Sequence, residues 1–183
     1  MNGWKELPLK IVNVHQRLLY ATPERAGRLI DSLSSTSDLL WPRGWPRLSL
    51  DRPLRVGAAG GHGPIRYLVE SYVPGQAVRF RFTGPRGFHG WHAFEVVEAT
   101  AAHCVLEHRI EMTARGAALW SWRLLYRPLH DALIEDALSL AQASLGNERR
   151  DVPWSRWVKV LRWLLARCDG RPARPITGEP HAN

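Results

Sequence analysis

A run of short alternating segments followed by one long helical stretch is the feature that most constrains the fold of this chain. Between residues 47 and 113, apolar and polar residues alternate in short segments separated by turn residues. We expect strands at Arg47–Leu50, Leu54–Ala58, Ile65–Tyr72, Val78–Phe82, Gly90–Glu98 and Cys104–Thr113. Links this short cannot make the crossovers that parallel strands need, so the strands must form an antiparallel meander.

The segments on either side of this meander predict one more strand and three helical segments. Leu9–Tyr20 is rich in Ile, Val and Leu and is typical of a first strand. Thr22-Pro23-Glu24 predicts the start of a short helix, because a hydroxyl residue, a proline and an acid all favour the first turn. Asp38–Trp41 is expected to form a further helical turn. Ala117–Leu145 is the longest helical stretch of the chain.

The long helix is predicted to carry one continuous apolar stripe. Its members at helical spacing are Trp122, Tyr126, Leu129, Leu133, Ala137, Leu140 and Ser144. Pro128 lacks an amide donor and should kink the helix, whereas Gly146 is suited to end it. A curved sheet with one apolar face can bury such a stripe. We therefore predict an α+β fold, in which a curved antiparallel sheet of about seven strands wraps around the long C-terminal helix.

The composition fits one domain of ordinary size with an appendage. The chain has 183 residues, of which 45% are hydrophobic and 23% are charged, which is enough for a substantial core. The two cysteines, Cys104 and Cys168, are too few for a disulfide scaffold and favour a reducing compartment. No run reaches the ~18 apolar residues of a membrane span, and the polar N-terminus lacks a secretory apolar stretch. We therefore expect a cytoplasmic protein.

The basic charge of the chain has two sources. Lys and Arg number 25 against 17 Asp and Glu, which gives a net charge of +8. Residues 147–183 hold eight of these basic residues and four of the acids, so half of the excess lies there. The other arginines are scattered, and no aromatic RNA-binding motif accompanies the close pair Arg79 and Arg81. We expect no nucleic-acid partner.

Several segments resemble those of the SRPBCC superfamily, which includes START-like and polyketide cyclase/dehydrase-like proteins with a helix-grip fold. The matching segments are Ala21-Thr22-Pro23-Glu24-Arg25, Trp41-Pro42, Phe88-His89-Gly90-Trp91-His92-Ala93-Phe94, Arg127-Pro128-Leu129-His130-Asp131-Ala132-Leu133 and Glu135-Asp136-Ala137-Leu138. The resemblance spans about residues 9–146 and implies a helix-grip domain of the kind used by carriers and cyclases. We expect an SRPBCC-like ligand-binding domain over residues 1–146. Residues 147–183 would form a basic extension with one amphipathic helix and a flexible tail.

Strand alternation identifies the side chains that face the interior of the sheet. Phe80 and Phe82, for example, share the apolar face of their strand. The face is apolar with a few polar points, at Tyr67, His92 and His108, and Tyr126 adds one from the helix. The predicted ligand-binding residues are Tyr67, Phe80, Phe82, His92, Phe94, Leu106, His108, Ile110, Trp122, Tyr126 and Leu133. Packing of the same side chains as an ordinary core is the alternative.

Loops at one end of the meander are expected to form the mouth of the cavity. Because turns alternate between the two ends, the Gly60–Gly63 turn, the Pro85–His89 turn and the Arg115-Gly116 link should share one end. The predicted rim residues are His62, Arg86, Phe88, His89 and Arg115. Their basic or titratable groups could attract a carboxylate, phenolate or phosphate, or could be ordinary solvated loop charges.

These patterns favour a protein that binds a hydrophobic or aromatic small molecule, either lipid-like or polyketide-like, between the sheet and the helix. The alternative is a cyclase or dehydratase that uses His92 or His108 with Tyr67 or Tyr126 as acid and base. No paired carboxylate is visible on the inner face, so an enzyme is permitted but not indicated, and catalytic residues stay unassigned. We expect no cofactor. We also expect no metal site, because the chain has no Cys pair and no helical His-Glu motif.

Residues 153–167 predict an amphipathic helix outside the resemblance, with Asp151 as its cap and Pro153 in its first turn. One side of this helix carries Trp154, Trp157, Val158, Leu161, Leu164 and Leu165. The other side carries Arg156, Lys159, Arg162 and Arg167, with Trp163 among them. The apolar side favours packing on the domain or on a second chain in a homodimer. Weak contact with an anionic membrane, as in a membrane-peripheral or interaction module, is the alternative.

Overall fold

The structure, a computed structural model, describes residues 9–168, so the predicted flexible tail lies outside the described residues. The strands are β1 (Leu9–Leu19), β2 (Ser49–Leu50), β3 (Ala59–His62), β4 (Ile65–Val73), β5 (Ala77–Gly84), β6 (His89–Val97) and β7 (Cys104–Ala114). The helices are α1 (Pro23–Asp31), α2 (Ala117–Ser121), a π-helical turn (Trp122–Tyr126), α3 (Arg127–Ser144) and α4 (Arg156–Cys168). Contacts divide the chain into two compact units, one ending at Val152 and the other starting at Pro153.

The seven strands form one antiparallel sheet in the order β1-β7-β6-β5-β4-β3-β2. β1 pairs with β7 along its whole length, from Leu9 opposite Ala114 to Leu19 opposite Cys104. The later strands follow the chain as a meander. This sheet and the long helical stretch after β7 confirm the predicted helix-grip α+β fold.

The alternation of side chains decides which face of the sheet forms the core. In β7 every second residue is buried, from Cys104 through His108 to Ala114. In β6 the buried residues include His92, Phe94 and Val96. Helix α1 packs against β5, β6 and β7, and α3 packs against β1. The predicted inward faces of both strands are therefore correct.

Two local predictions before β4 are wrong. Leu54–Ala58 is not a strand; the strand is β3, which contains part of the predicted Gly60–Gly63 turn. At Gly60 and Gly61, a Cβ atom would lie 2.0 Å from Ser49 O and 1.9 Å from Ile65 O, so these glycines allow close backbone approach within the sheet. Asp38–Trp41 is not helical. The Asp38 carboxylate accepts hydrogen bonds from the backbone amides of Leu40 and Trp41 and so stabilises a turn.

The apolar stripe predicted for the long helical stretch is correct over most of its length. Trp122, Leu133 and Ala137 are buried, and Tyr126, Leu129 and Leu140 are half-buried. Ser144, at the end of the predicted stripe, is exposed, whereas Ile134, Leu138 and Ala141 beside the stripe are buried. A π-helical turn precedes Pro128, and such a turn holds more residues than an α-helical turn.

The end of the long helix is as predicted: Gly146 follows it with a positive φ of 76°. Helix α4 begins at Arg156, later than the predicted start at Pro153, and the Ser155 hydroxyl accepts the amide of Val158. Asp151 is not the cap, since its carboxylate accepts a hydrogen bond from Arg149. Across residues 9–168, none of the helices combines the length and the apolar character needed to cross a membrane.

Candidate functional site

A row of neighbouring rings crosses the inner face of the sheet and ends on the long helix. We call Tyr67, Phe80, His92, His108 and His130 the inner row; β4, β5, β6, β7 and α3 each supply one ring. Tyr67 lies 4.9 Å from both Phe80 and His92, measured between ring centroids. His108 lies 5.5 Å from His92 and 4.9 Å from His130. The fold therefore gathers one ring from each of five elements into a continuous line.

The inner row contains polar atoms that lack partners. His92 Nδ1 and His108 Nε2 are 3.3 Å apart and share a hydrogen bond. Within the described part of the chain, four buried atoms of the row have no hydrogen-bond partner: Tyr67 Oη, His92 Nε2, His108 Nδ1 and His130 Nε2. Because buried polar atoms in proteins are nearly always paired, such a cluster marks a place where a bound molecule could supply the partners.

Burial sets the charge state of these groups. It lowers the pKa of His92 and His108 far below the ordinary value of imidazole. It also raises the pKa of the Tyr67 hydroxyl. All three side chains are therefore neutral at pH 7. Each neutral imidazole offers one donor and one acceptor, so the inner row can hydrogen-bond an uncharged polar ligand.

Apolar side chains surround the inner row. Phe82 stacks on His92 with centroids 5.1 Å apart, and the ring of Phe94 meets His108 edge-on at 4.6 Å. The remaining predicted ligand-binding residues of the interior are buried or half-buried; they are Leu106, Ile110, Trp122, Tyr126 and Leu133. The structure thus brings the predicted set together between the sheet and the long helix.

The predicted rim residues divide into two groups. Arg86, His89 and Arg115 are exposed at the end of the sheet where β5 and β7 end, as the meander argument predicted. His62 and Phe88 lie further inside. The His62 ring lies 4.8 Å from Trp41, and burial lowers its pKa to about 3.

Phe88 is 4% exposed and packs edge-on against the rings of Trp122 and Tyr126. The sequence predicted that His62 and Phe88 lie in turns at the rim of the cavity. In the structure His62 belongs to β3 and Phe88 joins a buried apolar cluster with Ile110 and Met112.

A second polar group, which the sequence reasoning missed, lies between β1 and α3. Asp131 Oδ1 is 3.0 Å from Asn13 Nδ2, 3.2 Å from His15 Nε2 and 3.4 Å from His130 Nδ1. Glu135 Oε1 is 2.8 Å from His15 Nδ1. We call these five residues the polar seam. Alternation along β1 would have placed Asn13 and His15 on its inward face, and helical spacing places Asp131 and Glu135 on one side of α3.

The seam controls the protonation of its own members. Burial alone would lower the pKa of His15, but hydrogen bonds to Asp131 and Glu135 raise it. Burial alone would raise the pKa of Asp131, yet hydrogen bonds from His130 and His15 hold it well below its usual range. The seam therefore favours a charged Asp131 carboxylate next to a positively charged His15.

An open groove of about 370 Å³ lies elsewhere on the domain, beside Trp41 and Trp45. The indole N–H of Trp41 donates to Pro46 O, and that of Trp45 donates to Asp136. These donors are already used within the protein. Four of the five unpaired buried side-chain atoms among the described residues lie in the inner row, and we therefore place the candidate site there.

Comparison with known proteins gives the fold but no sequence relative: no family model matches the chain, and no curated protein matches it. Norcoclaurine synthase from Thalictrum flavum, as a point mutant with a transition-state analogue, matches 76% of this chain and 97% of that chain. The TM-score is 0.59 and the sequence identity is 13%.

Two other solved structures are similar. A Thermobifida fusca protein solved by NMR matches with a TM-score of 0.57 and 12% identity over 77% of this chain and 99% of that chain. The di-domain ARO/CYC protein StfQ of the steffimycin pathway matches with a TM-score of 0.57 and 13% identity. That match covers 75% of this chain and 51% of that chain. At such identities the likeness shows the fold alone.

Proposed function

We propose that this chain, which has the SRPBCC-type helix-grip fold, binds a hydrophobic or aromatic small molecule between the sheet and the long helix. The observation that carries the proposal is the set of unpaired buried atoms in the inner row, set among aromatic rings. Leaving one polar atom buried without a partner costs about 1–3 kcal/mol. A fold retains several such atoms where a ligand supplies the missing hydrogen bonds.

The chemistry of the inner row favours a polyketide-like ligand over a plain hydrocarbon chain. Phe80 and Phe82 present ring faces beside His92, with centroids 4.9 and 5.1 Å away. Planar ligand rings can stack on such faces. The unpaired atoms of Tyr67 and His108 would then meet carbonyl or hydroxyl groups of the ligand. A saturated acyl chain could fill the same space but would leave those atoms unpaired.

The similar structures support a small-molecule partner in general terms. One of them, norcoclaurine synthase, is in complex with a transition-state analogue. Another, StfQ, is an ARO/CYC protein of a biosynthetic pathway. Neither likeness identifies the ligand of this chain, which we assign to the polyketide-like class from the inner row alone.

A second candidate function is a cyclase or dehydratase reaction in the same interior. The observation that favours it is geometric: His92, His108 and Tyr67 lie together in the interior, where an imidazole could accept a proton from a ligand carbon or hydroxyl. Tyr67 could return a proton to a carbonyl oxygen. The enzyme is favoured if the wild type converts a polyketone that can cyclise to an aromatic product and if the variants His92→Gln and His108→Gln do not. Saturable binding without turnover would favour the carrier.

A dye experiment tests the binding proposal. Phenylnaphthylamine, a neutral aromatic probe, should bind the native protein at about one site per chain. Leu106→Trp and Leu133→Trp should each fill ligand space, displace the dye and cost little stability. A core without ligand space would instead be overpacked and lose about 1–3 kcal/mol. The control Val56→Trp changes a residue that is 61% exposed and should leave binding intact. Dye binding that persists in both interior variants would contradict the proposal.

The partners of the C-terminal extension remain proposals. Through residues 153–167, the chain could touch an anionic membrane weakly or pair with a second chain as a homodimer. In α4, Trp157 and Leu164 are about half exposed, and the cations Arg162 and Arg167 lie over the rings of Trp154 and Trp163. Cation–ring contacts explain why Trp163 lies on the basic side of the helix. We also retain a cytoplasmic location as a proposal, which fractionation of cells would test.

A further inference from the structure

We propose that His15, His130 and Asp131 bind a divalent metal ion of the zinc class where β1 meets α3. One ligand atom from each residue lies within 4.8 Å of the other two. His15 Nε2 and His130 Nδ1 are 3.2 and 3.4 Å from Asp131 Oδ1. Neighbouring ligands in a tetrahedral shell with bonds of about 2.0–2.2 Å are separated by roughly 3.3–3.5 Å. The two distances to Asp131 Oδ1 therefore already match the spacing of metal ligands.

The hydrogen bonds of His15 call for a cation at this place. Both of its ring nitrogens face carboxylate oxygens, Nδ1 towards Glu135 Oε1 and Nε2 towards Asp131 Oδ1. A neutral imidazole has only one N–H, so its other nitrogen would direct a lone pair at a negative oxygen. A metal ion bound to Nε2 and Asp131 Oδ1 would accept this lone pair and balance the charge of the carboxylate. A metal ion satisfies His130 at the same time, because its Nδ1 faces the same oxygen.

The surroundings supply what a metal site needs beyond its ligands. Glu135 accepts from His15 Nδ1 at 2.8 Å, and such a carboxylate behind a ligating histidine fixes its orientation and strengthens metal binding. Asn13 Oδ1 is buried without a partner among the described residues, so it could accept a hydrogen bond from a metal-bound water. Three protein ligands leave the fourth tetrahedral position open.

Nearby arginines do not occupy the ligand atoms. Arg17 Nη2 is 2.6 Å from Glu135 Oε2, and Arg127 Nε is 3.6 Å from Asp131 Oδ2. The other oxygen of each carboxylate faces the histidines. Two imidazoles and one carboxylate are a donor set that suits Zn²⁺, Fe²⁺ or Co²⁺. The inference goes beyond the proposed ligand binding and does not depend on it. It departs from the expectation of no metal site because the three residues meet only when β1 packs on α3.

Metal titration of the untagged full chain tests the site. Zn²⁺ is titrated by calorimetry, and Co²⁺ by visible absorption, after treatment with a chelator. We expect one Zn²⁺ per chain, with affinity lowered by about 100-fold or more in His15→Gln and Asp131→Asn. Glu135→Gln should lower the affinity by about 10–100-fold, the usual effect of losing a carboxylate behind a ligand. His103→Gln, which changes an exposed histidine of the β6–β7 hairpin, should bind Zn²⁺ like the wild type.

Circular dichroism shows whether each variant folds. A second measurement, made on the wild type alone, tests the site even if the variants do not fold. X-ray absorption of the Zn²⁺-loaded wild type should show two imidazole ligands, oxygen ligands and no sulfur. Three results would each overturn the proposal: no stoichiometric Zn²⁺ binding, a folded Asp131→Asn variant with unchanged affinity, or a sulfur ligand in the wild type. The dye experiment on the inner row has no bearing on these outcomes, so the two proposals can fail separately.

Discussion

His92 and His108 face each other across neighbouring strands, with His92 Nδ1 3.3 Å from His108 Nε2. The register of β6 and β7 sets this contact: His108 lies opposite Phe94 and His92 lies opposite Ile110, so the two rings are diagonal neighbours. Burial keeps both imidazoles neutral. One ring donates to the other, and each keeps a further nitrogen for another partner.

The buried histidines should make the protein less stable in acid. Burial lowers the pKa of His62, His92 and His108 in the folded state. Below the unfolded pKa of 6.5, the unfolded chain binds protons that the folded protein does not. The stability that these histidines contribute is therefore present above pH 6.5 and is lost as the pH falls below it. His15 acts in the opposite direction, because its pKa is raised. The free energy of unfolding, measured with urea between pH 5 and pH 8 in the presence of chelator, should fall steeply below pH 6.5.

Each buried histidine contributes at most about 1.4 kcal/mol per pH unit to that slope. The variant His92→Phe removes one titrating group and keeps an aromatic ring of similar size, so its slope should be shallower than that of the wild type. The control His103→Gln changes an exposed histidine and leaves all the buried histidines in place. A stability that stays level from pH 7 to pH 5 would show that the interior histidines are not held neutral.

The exposed arginines at the predicted mouth should select for negatively charged ligands. Arg86 and Arg115 lie at the same end of the sheet, in the loop before β6 and after β7. Anilinonaphthalene sulfonate should bind more tightly than neutral phenylnaphthylamine, and its affinity should weaken with added salt. Replacing both arginines by Gln should remove the preference and its salt dependence.

The control for the mouth is Arg52→Gln, since Arg52 is exposed and paired with Asp51 away from these loops. Fluorescence titrations with the two dyes measure the affinities of the wild type, the double variant and the control. If the wild type binds both dyes with equal affinity at low salt, the arginines do not guide ligands into the interior.

Helix α4 allows a direct test of membrane contact. It carries four basic residues and no acid, and Trp157 and Trp163 are 48% and 45% exposed. Tryptophan at the lipid interface and arginine near anionic headgroups would both favour binding. If α4 contacts a membrane, the wild type floats with phosphatidylserine vesicles at low salt, and the double variant Trp157→Ser with Leu164→Ser does not.

The matched control for flotation is Val56→Ser, which removes an exposed apolar side chain outside α4. It should float like the wild type. Wild-type protein that stays at the bottom of the gradient at low salt would exclude the membrane proposal. Sedimentation equilibrium of the wild type and the double variant would then test pairing of two chains through the same residues.

The sequence by itself determined the element order, the antiparallel pairing and the inward faces of the central strands. Period-two alternation is a local property, and in β7 it is unbroken from Cys104 to Ala114. The inward faces of Tyr67, Phe80, His92 and His108 follow from the same rule. The shared end of Arg86 and Arg115 follows from the meander, because each short turn must reverse the chain.

Tertiary structure alone decided how wide the buried face of α3 is and which side chains meet across elements. Ile134, Leu138 and Ala141 are buried although they lie beside the predicted stripe, and nothing in the apolar spacing of residues 117–145 marks where the π-helical turn lies. The strand at Gly60 and Gly61 depends on how closely Ser49 and Ile65 approach it. His15 and Asp131 are far apart in the chain and come within 3.2 Å only because β1, an edge strand of the sheet, packs against α3. Local patterns report which way a side chain faces, whereas its partners depend on packing between elements distant in sequence.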